Sequence, residues 1–106
     1  MTKSIRVDLE PDFPGQWIDV ADIAKRSPNQ FRKTQELSGS ETEEGARAFM
    51  ADVIAGWHVL NPETGAALPQ PSSTDLDIGD VPIGVSHRWT EHIRQQFEAL
   101  LPKAKG

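Results

Sequence analysis

Cysteine is missing from this 106-residue chain, and with it go disulfides, thiolate nucleophiles and cysteine-ligated zinc. An excess of basic residues is missing too. Eleven Lys and Arg face sixteen Asp and Glu, for a formal net charge of −5. That balance disfavours non-specific nucleic-acid binding, which needs cations to neutralise phosphates. It also argues against docking on an anionic membrane surface. No apolar run approaches the roughly 20 residues of a transmembrane helix. The start, Met1-Thr-Lys-Ser-Ile-Arg6, is basic, but no apolar h-region follows, so no signal peptide is expected. A reducing cytosol is the simplest compartment for such a chain.

The motifs of catalysis are absent as well. There is no Gly-x-Ser-x-Gly elbow, no Gly-x-x-x-x-Gly-Lys loop and no Gly-x-Gly-x-x-Gly fingerprint. The histidines are His58, His87 and His92. The last two are five apart, so they do not share a helix face as i, i+4 metal ligands would. Asp75-Leu-Asp-Ile-Gly-Asp80 puts its glycine one position too early for a calcium loop and has Ser86 where the bidentate glutamate belongs. No enzyme activity, metal or cofactor is expected.

A length of 106 residues suits a single domain, 1–106, with a modest core. Ile5, Val7 and Leu9 alternate with charged residues, the period of a half-buried strand. Pro11-Asp-Phe-Pro-Gly15 turns the chain into a second strand at Trp17-Ile-Asp-Val20. Ser27-Pro28 reads as an N-cap with Pro at the first helical position, opening a short helix to about Leu37. Ser40-x-x-Glu43 reads as a capping arrangement for a second helix, about Glu41 to Ala55.

That second helix carries the clearest pattern in the chain. Ala46, Phe49, Met50, Val53, Ile54 and Trp57 fall at i, i+3, i+4, i+7, i+8 and i+11. It ends at Gly56, and a short extended piece follows. Two strands alone are marginal, so a third strand near 57–60 is expected to join the hairpin. Residues 66–81, rich in Pro and acidic side chains, read as a mobile loop. A third helix starts near Pro82 or Ile83 and carries Val85, Trp89, Ile93, Phe97, Leu100 and Leu101 on one face. Pro102 stops it, and 102–106 is a frayed tail. The fold class is α+β: an N-terminal β-hairpin, with a third strand, packed on about three helices.

Aromatics at helical spacing are core candidates first. The terminal helix is the exception weighed here, since a rich apolar face can dock in a partner's groove. Trp89, Ile93, Phe97, Leu100 and Leu101 are its candidate partner-binding residues.

Pro14-Gly-Gln-Trp-Ile-Asp-Val20, then Val53-Ile-Ala-Gly-Trp-His-Val-Leu-Asn-Pro-Glu-Thr-Gly-Ala-Ala-Leu-Pro69, then Asp80-Val-Pro-Ile-Gly-Val85 before an amphipathic helix resemble, in order, the tail assembly chaperones of long-tailed phages, particularly those of actinobacterial hosts. The resemblance covers about four fifths of the chain through short, degenerate motifs. It implies a non-enzymatic protein of the host cytoplasm that binds the tape measure protein, helps recruit tail tube subunits and is lost from the mature particle. Trp17, Trp57, Gly65 and Pro69 would then be structural motif residues, and no catalytic residue transfers. A homo-oligomer stays open. Two alternatives remain: a structural virion component, such as a head–tail connector or minor tail protein, and an acidic inhibitory or decoy protein that binds a basic partner.

Overall fold

The computed structural model describes residues 4–100. Strands β1 (Ser4–Asp8) and β2 (Trp17–Ala21) form the expected antiparallel hairpin, with Arg6 opposite Asp19 and Val7 opposite Ile18. A 3₁₀ turn at Ile23–Lys25 leads to α1 (Pro28–Ser38), then α2 (Glu43–Val53), β3 (Ile54–His58), a second 3₁₀ turn at Ile78–Asp80 and α3 (Ile83–Leu100). The sheet order is β1-β2-β3, antiparallel throughout. The fold is α+β, and β3 supplies the third strand.

Local chemistry explains most of these bounds. Ser27 caps α1 by accepting from Gln30 N, with Pro28 in the first turn, as its sequence predicts. The cap of α2 departs from expectation. Thr42, not Ser40, accepts from Gly45 N at 2.9 Å, and the helix begins at Glu43. Ser40 instead lies over the first turn, where a Cβ on residue 45 would sit 1.7 Å from its Oγ. Glycine at 45 therefore admits the Ser40 side chain and moves the helix start two residues on.

The far end of α2 also departs from expectation. The apolar period continues through Ile54 and Trp57, yet the helix stops at Val53 and Ile54–His58 is extended. Pairing with β2 gives the backbone of 54–58 its ladder partners, and Ile54 and Trp57 reach the core from a strand instead, both 3% exposed. Tertiary pairing overrides local helical period here. A register shift between Asp19 and Val20 absorbs Ala55, which faces solvent.

The core unites Leu9, Ile18, Val20, Ile23, Met50 and Val53 with Val59, Leu68, Leu76, Val85 and Ile93. Residues 66–81 contribute Leu68 and Leu76 to it. Apart from the Leu60–Ala67 bridge and the 3₁₀ turn, that stretch holds no regular element. Ile5, expected half-buried with Val7 and Leu9, is 36% exposed at the open edge of the sheet, whereas Leu9 is fully buried.

One polar network sits among these apolar contacts. Arg26, with 8% of its side chain exposed, donates to Asp52 Oδ2 at 2.9 Å, Asp52 O at 2.7 Å and Thr34 Oγ1 at 2.7 Å. It ties the segment before α1 to both α1 and α2. Breaking a shielded pair leaves its partner's charge unpaired, which costs about 3–5 kcal/mol when burial is complete. Asp52 is one quarter exposed, so Asp52→Ala is expected to cost about 2–3 kcal/mol in urea unfolding. Arg6→Ala removes the open Arg6–Asp19 pair (56% and 21% exposed) and is expected to leave the urea midpoint almost unchanged. Equal effects from the two substitutions would refute this ranking.

Candidate functional site

Trp57, Gly65 and Pro69 come together as one unit. After β3, Asn61 Oδ1 accepts from Glu63 N and Thr64 N, and Gly65 closes the turn at φ +75°, a conformation that favours glycine. Leu68 N donates to Val59 O and Asn61 N to Ala66 O, so the chain doubles back alongside itself. The Trp57 indole Nε1 then donates to Pro69 O at 2.9 Å. Next, the Gln70 amide closes the unit: its Oε1 accepts from Trp57 N and its Nε2 donates to Trp57 O, both at 3.0 Å. One side chain thus stands in for a neighbouring strand at the outer edge of β3. Trp17 lies elsewhere, on β2, with the Arg6 guanidinium 3.8 Å from its ring and His58 beside it.

Two further glutamines act in the same way. Gln96 of α3 accepts from Ile23 N at 2.8 Å and donates to Ala21 O at 2.9 Å. Gln16 accepts from Leu60 N at 3.0 Å. Arg88, also on α3, donates to Asp8 O at 3.2 Å and to Asp12 Oδ2 at 3.2 Å, covering the end of β1. The sequence reading missed all of these. Nothing in a linear pattern distinguishes a glutamine that reaches a backbone 75 residues away from a solvated one.

The proposed partner-binding stripe on α3 needs correction. Ile93 is 2% and Trp89 7% exposed, both inside the core. Phe97 packs on that core and meets Phe31 edge-on, ring centroids 5.6 Å apart. Leu100 alone of the described set is open, at 44%, and Leu101 lies outside the described residues. Trp89, Ile93 and Phe97 are therefore occupied by packing within the chain.

Three concave regions adjoin α3. A polar groove of about 330 Å³ is lined by Val7, His87, Arg88, Glu91, His92 and Gln95. An apolar one of about 270 Å³ lies between Ile23, Pro28, Phe31 and Leu100, with Arg26 at its wall. The third, about 280 Å³, lies where α1, α2 and α3 meet. Trp89 forms part of its wall, tilted against Phe49 with centroids 5.8 Å apart. The Trp89 Nε1–H is buried and meets no acceptor among the described residues, a cost of about 1–3 kcal/mol.

On the exposed face of α3, Arg94 bridges Glu91 and Glu98. The hydrogen bond from Arg94 draws the Glu91 carboxyl below its usual range, and Glu91 in turn raises the Arg94 guanidinium. These charges face solvent and neutralise one another. Among the described residues no three His, Asp or Glu side chains form a metal-holding group, and no helix is long and apolar enough to cross a membrane. Comparison with protein-family models, with curated proteins and with solved structures finds no match to this chain.

Two outcomes test this placement. Ile93→Ala should cost about 2–5 kcal/mol, whereas Leu100→Ala should shift the unfolding midpoint little; comparable losses would put both residues in one environment. Gln70→Ala should cost about 1–2 kcal/mol and speed hydrogen exchange at the Trp57 amide. Unchanged exchange there would mean the amide is protected by something other than Gln70.

Proposed function

We propose that this chain is a non-catalytic assembly factor of the phage tail assembly chaperone type, one that binds the tape measure protein in the host cytoplasm and assists tail tube assembly. The observation that carries the reading is the stretch from Val53 to Pro69. Its sequence resembles the signature of that family, and its two ends are fastened to one another through Trp57 and Pro69. A stretch so held behaves as one structural piece, which suits a motif kept for architecture rather than for chemistry.

The physics of such a role is simple. A long helical protein exposes apolar stripes that aggregate. A small partner with some apolar surface and a net charge of −5 covers part of a stripe and keeps the complex soluble by repulsion. Trp89 and Ile93 are not available for this, because both are buried in the core.

A second reading has its own support. Glu41, Glu43, Glu44, Asp75, Asp77 and Asp80 are all exposed, and an acidic surface of this kind suits a protein that blocks a basic partner. Co-expression separates the readings. A tape measure protein from the same genome should become soluble and co-purify with the tagged chain. If its solubility does not change and nothing is retained, the chaperone reading fails. Finding the chain in purified particles would then favour a virion component, and retention of a basic host protein would favour the blocking role.

A further inference from the structure

We propose that the chain self-associates through the free edge of β1: two copies pair these strands antiparallel about a two-fold axis at Ile5 and join their three-stranded sheets into one. The proposal goes beyond the tail-assembly reading above and does not depend on it.

The main chain is the first observation. β1 stands at one end of the sheet and pairs with β2. Leu9 N donates to Gln16 O at 3.1 Å, in step with the register of the two strands. Bonded and non-bonded pairs alternate along an antiparallel ladder. Ile5 and Val7 therefore bond to Val20 and Ile18, while Ser4, Arg6 and Asp8 turn their N–H and C=O groups away from β2. Two side chains show the same phase. Arg88 reaches Asp8 O from outside the sheet, and Gln70 takes both backbone groups of Trp57 at the opposite edge. Among the described residues nothing bonds to the outward groups of Ser4 or Arg6, and Ser4, Ile5 and Arg6 are all exposed.

The match of this edge to itself is the second observation. Another copy brings the same row of donors and acceptors, and antiparallel pairing about a two-fold axis closes both edges at once. Charge and capping then choose the register. An axis at Arg6 sets two guanidinium groups opposite each other, which is destabilising, and pairs Ser4 with Asp8. An axis at Val7 pairs Arg6 with Asp8. Both need Asp8 O, which Arg88 already holds at 3.2 Å. An axis at Ile5 needs neither. Ser4 and Arg6 of one copy exchange hydrogen bonds with Arg6 and Ser4 of the other, and each Arg6 keeps its own Asp19.

Ile5 is the third observation. It is 36% exposed, the open apolar side chain of β1. With the axis at Ile5 it meets its counterpart in a non-bonded pair, where side chains approach most closely. The register left open by the main chain thus also covers the apolar side chain that the fold leaves at this rim. So few strand residues make a weak interface, with a Kd on the order of 0.1–1 mM.

The full ¹⁵N-labelled chain should be followed by NMR and sedimentation equilibrium from about 10 μM to about 2 mM. Dimer should build up with concentration. The amides of Ser4, Ile5 and Arg6 should shift together, and hydrogen exchange at the Arg6 amide should slow. The Trp57 amide, bonded to Gln70 in either state, should not respond. Arg6→Pro removes a donor turned away from β2, a place where an edge strand tolerates proline, and should weaken the dimer by about tenfold or more. Ile5→Lys sets like charges opposite each other at the axis and should weaken it as well, so the test stands even if Arg6→Pro does not fold.

A chain that stays monomeric across this range overturns the proposal, including one whose β1 edge takes up only foreign extended segments. So does a dimer whose shifts centre on Phe31 and Leu100, or one that both substitutions leave intact.

Discussion

Unpaired backbone groups at the rim of a small sheet are the constraint on which this structure turns. Three strands leave two open edges, and every N–H and C=O turned toward protein at those edges needs a partner. A larger domain would add strands. This one uses side chains. Gln70 presents a carboxamide to both backbone groups of Trp57 at the β3 edge, and Arg88 covers the carbonyl of Asp8 at the end of β1. Gln96 does the same for the backbone that leaves β2. Each of these residues comes from a segment that also adds to the core, so edge protection and core packing reinforce each other. Strand-by-strand addition of further copies finds little free backbone at these points.

How much of this was legible in the sequence follows from the range of the interactions involved. Short-range signals read well: the Ser27-Pro28 start of α1, the alternation around Arg6, and the long apolar period of α3 each predict an element that is present. Errors arose where a contact outside the spacing rule decided the outcome. Ile54 fits the helix by spacing, but β2 recruits it into the strand that Trp57 was expected to open. Ser40 fits a cap by spacing, but Gly45 lets it sit inside the turn. The face of α3 carrying Trp89 and Ile93 has the same pattern whether it meets a sheet or a partner, and only the fold shows which.

The cavity between the three helices was harder still to foresee. Its walls come from four segments, and none of them is unusual in composition.

Nothing separates α2 from β3: Val53 ends the helix and Ile54 begins the strand. One residue inserted in α2 would turn everything before it by about 100°, carrying Phe49 and Met50 away from the core. One residue inserted in β3 would exchange its two faces. Between Glu43 and His58 the spacing of the chain is therefore fixed by two incommensurate rulers at once, whereas the turn at 61–65 and the Pro-rich stretch after Gln70 obey neither. Descendants of this sequence are free to change length in those later segments, and a comparison of their gaps would trace the outline of this joint without reference to any coordinate.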